Sequence, residues 1–155
     1  TERVTDAVTA VTETEVVFDD GRRKTDLLGN VLRDRDGRVS TGAQYFGVDY
    51  ALGKRWSTRA KVTTGNGHKG ESELDLRIQA RETVTVPAGT FDCFKAVGKG
   101  YFLGERDGIT KRPAGTRGIS PGRVRVAVLY ESVRTTKENR VIRAIRDELV
   151  VFRQA

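Results

Sequence analysis

The sequence predicts an all-β protein: a single curved antiparallel sheet of about ten strands, forming a half-barrel or open barrel with little helix. Three observations lead there. Apolar and polar residues alternate at period two in run after run, most cleanly at Leu74, Leu76, Ile78 and Ala80 against Glu73, Asp75, Arg77 and Gln79. Short turn signals rich in Gly, Asp and Pro separate the runs, as antiparallel neighbours require. A helical stripe can be drawn only through the tail, at Val141, Ile145, Leu149 and Phe152. There too a closing strand is the preferred reading, because every neighbouring segment reads as sheet.

Taken in order, Glu2 to Val11 is rich in Thr and Val, as in a strand. Val16-Val17-Phe18 runs into Asp19-Asp20-Gly21-Arg22, a hairpin signal, and Arg23 to Leu28 returns. Gly29-Asn30 breaks the chain before a short strand at Val31 to Asp34, which ends in a second turn, Asp34-Arg35-Asp36-Gly37. Val39 to Tyr45 alternates again. Trp56, Thr58, Ala60, Val62 and Thr64 form one face of an amphipathic strand that Gly65-Asn66-Gly67 turns into the Leu74–Ala80 run. Phe91 to Leu103 is apolar on both faces and interrupted by Gly98 and Gly100, a pattern of bulges or bends. Residues 104–122 are rich in Gly and Pro without period and read as a long flexible loop. Alternation resumes from Arg123 to Tyr130, and Lys137-Glu138-Asn139 reads as a turn before the last strand.

The centre of this pattern is Val84-Thr85-Val86-Pro87-Ala88-Gly89-Thr90-Phe91-Asp92-Cys93-Phe94. Pro87 fixes φ at position i+1 of a tight turn and holds Val86 extended, while Gly89 suits position i+3. Two apolar strands are thereby folded against each other.

At 155 residues the chain is one domain, 1–155, large enough to bury a core. With 37% apolar and 32% charged residues its composition is not that of a disordered chain. No apolar run reaches the about 20 residues of a helical membrane span. Cys93 is the only cysteine, which excludes an internal disulfide and a thiolate-built zinc site. Between Phe91 and Phe94 it reads as a small core residue. The net charge of +7 favours anionic partners, yet the cations are spread along the chain, as outward faces of alternating strands would place them.

Motifs for chemistry are weak. Gly65-Asn66-Gly67-His68-Lys69-Gly70 has the spacing G-x-G-x-x-G, but a strand follows where a dinucleotide site needs a helix. His68, the single histidine, lies on that turn without a second ligand or an evident nucleophile. Asp34-Arg35-Asp36-Gly37 lacks the remaining ligands of a calcium loop. The many carboxylates sit mostly in turns or beside arginines, so a hydrolase built on cross-strand acids is the least favoured class. No motif for specific nucleic-acid binding accompanies the aromatics. No metal or cofactor is expected, and no catalytic residues stand out.

The Pro-Ala-Gly-Thr-Phe core, with Glu82 before it and Lys95-Ala96-Val97 after it, resembles a family of bacterial extracytoplasmic proteins of unassigned function. Its hallmark is a strand reading E-x-V-x-V-P-A-G-T-F. Gly53-Lys54-Arg55-Trp56 and the late Tyr130 with a terminal Glu148-Leu149-Val150-Val151-Phe152 add to the similarity. Where the family has a W-Y element near its last strands, this chain has Leu129-Tyr130-Glu131-Ser132. The resemblance implies a curved sheet akin to lipoprotein-carrier (Lol-like) half-barrels. It also implies export to the periplasm or cell envelope, with a signal peptide preceding Thr1, and supplies no catalytic residue.

The expectation is therefore a non-enzymatic envelope protein whose sheet holds a lipid or other apolar or amphiphilic small molecule. Trp56, Phe91, Phe94, Tyr101, Phe102 and Tyr130 would line the cavity, with Pro87 and Gly89 as the structural turn. The alternative is a basic module binding an anionic polymer, nucleic acid or polysaccharide; an anionic surface or envelope component is the further partner expected.

Overall fold

In the computed structural model residues 2–106, 108–124 and 126–153 are described, Pro113 and Ala114 by their backbone alone. Asp107 and Arg125 therefore lie outside the described residues. Eleven strands follow one another in chain order: β1 (Val8–Val11), β2 (Glu15–Phe18), β3 (Arg23–Asp26), β4 (Val31–Arg33), β5 (Val39–Thr41), β6 (Arg55–Thr63), β7 (Lys69–Val86), β8 (Gly89–Gly104), β9 (Gly108–Ile119), β10 (Leu129–Thr135) and β11 (Val141–Glu148). Each pairs antiparallel with the next in a single open sheet, so the expected all-β, half-open architecture is what forms. Among the described residues, the only segment resembling a helix is a tight turn at Asp19–Gly21, and its backbone angles are not helical.

The turns are where the residue types placed them. Asp19 and Asp20 adopt positive φ beside Gly21 in the β2–β3 connection, and Asn139 does so between β10 and β11. Pro87 and Ala88 alone connect β7 to β8, with Val86 opposite Gly89. Gly89 has φ of +131°, a conformation that side chains rarely adopt. The Ala88 amide donates to the Leu149 carbonyl, tying the turn to the chain end. The terminal strand reading holds over Val141–Glu148.

The long β7–β8 hairpin is not uniform. Its register shifts between Ile78 and Ala80 opposite the consecutive pair Ala96 and Lys95, leaving one extra residue on β7. Because side chains alternate with period two, such a bulge exchanges the faces. Leu74, Leu76 and Ile78 point to one face with Ala96 and Phe94. Beyond the bulge, Val84 and Val86 point to the other with Phe91 and Cys93. Two separate clusters result. Ile78, Ala96 and Ile119 pack with Phe46, Tyr50, Trp56 and Phe94 on the first face. Val84, Val86, Phe91, Cys93, Val124 and Val128 pack with Leu129 and Leu149 on the second.

Four segments depart from expectation. Residues 104–122 are not a flexible loop: Gly108–Ile119 is a strand, paired on both sides by β8 and β10. Ladders on both sides, each with one register shift, pair most of its backbone, so it needs no apolar alternation of its own. Arg123 to Tyr130 is not a strand before Leu129. Val124 and Val128 are buried and Val126 partly so, but from an irregular connection in which the Val124 amide bonds the Ser120 carbonyl and the Val128 amide the Gly118 carbonyl. The Val39–Tyr45 strand stops at Thr41, after which 42–54 crosses the first face. At the other end, the strand expected over Glu2–Val11 is only Val8–Val11. Asp6 instead pairs with Arg23 at 2.6 Å and with Arg35.

Gly98 and Gly100 do bracket a register shift, between β8 and β9. A Cβ on Gly100 would overlap the Glu73 carbonyl of the neighbouring strand. Backbone rather than a pliable side chain is in the way, so Gly100→Ala is expected to destabilise by about 3 kcal/mol. Urea unfolding checks this, and a loss below about 0.5 kcal/mol, the level of a neutral surface change, would contradict it. Cys93 is fully buried, and desolvation, aided by Asp92 and Glu82, pushes its thiol up to about 11. The unfolded thiol ionises first as pH rises, so stability should fall between pH 9 and about 11. Part of that fall should be missing in Cys93→Ala; identical pH profiles for the two proteins would refute the assignment.

Candidate functional site

The six aromatics expected to line one cavity divide between the two faces. Phe91 lies in the second-face cluster, its ring under Arg123 at 4.7 Å. Tyr101 is 45% exposed on that same face and donates its hydroxyl to Glu73 at 3.0 Å. The other four share the first face. Trp56 donates Nε1–H to the Gln44 carbonyl at 2.8 Å, and Phe94 stacks on Tyr50 with centroids 5.7 Å apart. With Phe46 these side chains fill one end of the first face. Phe102 and Tyr130 lie elsewhere on it, each beneath an arginine: Arg134 at 4.7 Å and Arg117 at 4.8 Å.

That arginine-rich end is the most unusual chemistry in the molecule. Arg117 is paired with Ala96 on β8 and Tyr130 on β10, in line with the buried Ile119. It occupies a core position and is only 8% exposed. Its guanidinium lies over the rings of Tyr45 at 4.6 Å and Tyr130 at 4.8 Å. Burial pulls its pKa down, the two tyrosines act in the opposite direction, and Arg112 adds repulsion. Arginine nevertheless stays protonated in proteins. The described residues offer it no carboxylate within ion-pair distance and no hydrogen bond to its side chain. A buried cation ordinarily calls for a partner.

The surroundings of Arg117 are built by the sheet and by one loop. Gly98 faces Gly115 across β8 and β9, so no side chain rises from the strands beside it, and a Cβ at Gly115 would stand 3.9 Å from the Arg112 chain. Tyr45 arrives on the 42–54 loop, which is firmly held. The Gln44 amide donates to Thr58 Oγ1 at 2.7 Å, and the Phe46 amide to Oδ1 of the buried Asn30 at 2.8 Å. Asn30 Nδ2 donates back to the Phe46 carbonyl and to Asp26. The Tyr45 hydroxyl lies 3.4 Å from Ser72 Oγ, and buried Ser132 sits opposite Gly115. Ser72 also lines a small hollow with Thr110, Arg112 and Arg134. Beyond it opens a groove of about 510 Å³ lined by Phe102, Ile109, Thr110, Arg134, Thr136, Lys137, Glu138 and Ile142.

This arrangement suits anion binding. His68 is exposed on the β6–β7 turn, and no three His, Cys, Asp or Glu side chains among the described residues converge as a metal site. Sequence reasoning missed Arg112, Arg117, Arg134 and Tyr45. The available signal was parity: Arg117 is two residues before Ile119 in a run flanked by Gly115 and Gly118. Reading 104–122 as a loop hid that parity. Compared with protein-family models, curated proteins and solved structures, the chain matches none.

The two cation–π contacts should be measurable. Tyr130→Phe keeps the ring and is expected to change stability by less than about 0.5 kcal/mol, whereas Tyr130→Leu should cost about 2 kcal/mol. Equal unfolding free energies for the two variants would show that the ring does not support Arg117.

Proposed function

We propose that this protein is a binding module that holds an amphiphilic anion along the first face of its sheet. The carrying observation is the open groove, where Phe102, Ile109 and Ile142 offer apolar surface beside Arg134 and Lys137, contiguous with the hollow that Arg112 shares. A wholly apolar lipid fits less well, because Trp56, Phe94, Tyr50 and Phe46 already occupy the other end of that face. The E-x-V-x-V-P-A-G-T-F resemblance supports an exported, cell-envelope setting, where amphiphiles are abundant.

An anionic-polymer reading draws on the net charge, but many of the cations are neutralised locally. Arg59 pairs with Glu73, Arg81 with Asp92, Arg38 with Asp34 and Lys54 with Asp49, and Arg146 pairs with Glu131 and Glu148. A charge mosaic of this kind does not form the unbroken basic track that a polyanion follows.

Calorimetric titration below the critical micelle concentration tests the reading. Decyl phosphate is expected to bind at least about tenfold more tightly than decyl maltoside, a difference of about 1.4 kcal/mol. Ile142 is 53% exposed on the edge strand β11, so Ile142→Asp should leave the fold intact and weaken decyl phosphate. Equal affinity for both amphiphiles, or an unchanged Ile142→Asp variant, would overturn the proposal.

A further inference from the structure

We propose that Arg117 and Arg112 form a receptor for a dianionic phosphate monoester group, seated between Tyr45 and Tyr130 on the first face. The inference names the head-group chemistry of the ligand proposed above, and it rests on that reading only for the apolar tail.

Four features point to this ligand class. First, Arg117 is more than nine-tenths buried with its side-chain donors unused among the described residues. Five N–H donors in a planar fork match the oxygens of phosphate or carboxylate in a bidentate pair. Second, two tyrosine rings stand where a protein counter-ion would otherwise be, at 4.6 and 4.8 Å from the guanidinium carbon. Rings of this kind stabilise the cation without consuming its N–H groups. Third, Arg112 is close enough to repel Arg117, and it makes no ion pair among the described residues. A single negative charge would balance one of the two arginines; a dianion balances both. Fourth, neutral hydroxyls lie on the same face of the sheet and along the hollow that Arg112 lines. Ser72 and Tyr45 lie within 3.4 Å of each other, Thr110 lines the same hollow as Ser72 and Arg112, and Ser132 is buried on the next strand. These are donors for the remaining phosphate oxygens, with no carboxylate nearby in the hollow to oppose them.

The site is also rigid where it must be. The Tyr45 loop is clamped at Thr58 and Asn30, while Arg117 and Tyr130 face each other across paired central strands. The framework around Arg117 is ordered in advance, which favours affinity, and Arg112, without an ion pair among the described residues, is the arm that binding would fix.

The test uses three probes, inorganic phosphate, decyl phosphate and sodium decanoate, with thermal unfolding and calorimetry as readouts. Inorganic phosphate should raise the melting temperature of the wild type saturably, and decyl phosphate should bind at least about tenfold more tightly than decanoate. Arg117→Met, of similar size and no charge, should abolish the phosphate-dependent rise. Arg117→Lys should keep the charge but lose the fork and bind at least about tenfold more weakly. Should Arg117→Met not fold, Arg112→Gln, on a less buried residue, is expected to weaken phosphate about tenfold as well.

Three outcomes overturn the inference: no phosphate-dependent stabilisation of the wild type, an undiminished rise in Arg117→Met, or unchanged affinity in Arg112→Gln. The two proposals fail separately. Decyl phosphate binding that depends on Ile142 but not on Arg117 or Arg112 removes this site and leaves the groove. Phosphate binding that depends on Arg117, with no gain from the decyl chain and no effect of Ile142→Asp, removes the groove and leaves this site.

Discussion

The rest of the structure depends on one extra residue in β7. A single sheet ordinarily buries one face and leaves the other to water. The bulge at Gln79 breaks that rule midway along the longest hairpin, so its base and its tip are buried on opposite faces. Each apolar side chain so buried contributes roughly 1.5–3 kcal/mol, whereas an exposed ion pair contributes about 0–1 kcal/mol. The two clusters therefore set the energetics, and the many surface ion pairs add little. Removing the extra residue would turn either Leu74, Leu76 and Ile78 or Val84 and Val86 out of their cluster.

The same bulge places the candidate site. Ahead of it in the hairpin, the first face continues through Ala96 to Ile119 and Arg117 on β9, then to Tyr130 on β10. Past it, the second face is closed by Val124 and Val128 from the irregular connection and by Leu149 from the chain end. One end of the first face is filled by aromatics from the 42–54 loop. The other end has glycines at 98, 100 and 115 where side chains would otherwise fill the space, and there the arginines lie.

The turns and the strand period were plain in the sequence because each rests on local chemistry. Asp-Gly, Asn-Gly and Pro-x-Gly have few conformations to choose from, and Leu74 to Ala80 alternates without exception. Burial of Cys93 followed from its neighbours in the same way. What could not be read were features decided by distant residues. Pairing on both sides made a strand of Gly108–Ile119 despite its glycines, and no local pattern announces that. Gln79 does not look like a bulge, since β7 keeps even-numbered apolar residues on both sides of it. The exchange of faces appears only when β8 is laid alongside, where burial switches from Phe91 and Cys93 to Ala96. The sequence reading therefore places Phe91 and Phe102 in one cavity, and the sheet separates them.

Arg117 stands out in a sheet of otherwise ordinary economy. Its place beside Ala96 and Ile119 would suit an aliphatic residue, and replacing buried charge with well-packed apolar groups is often neutral or stabilising. Two cation–π contacts of about 2 kcal/mol each offset much of the several kcal/mol that desolvating a cation costs, leaving at best a balance rather than a gain. Stability alone thus gives no reason for arginine at this position. A bound anion does, because it would contribute free energy only in the folded state, as RT ln(1 + [L]/Kd), and about 2.7 kcal/mol when present at a hundred times Kd. The tyrosines then have a definite physical role. They keep a naked guanidinium tolerable while the site is empty, and they leave its hydrogen-bonding edge available to an oxyanion.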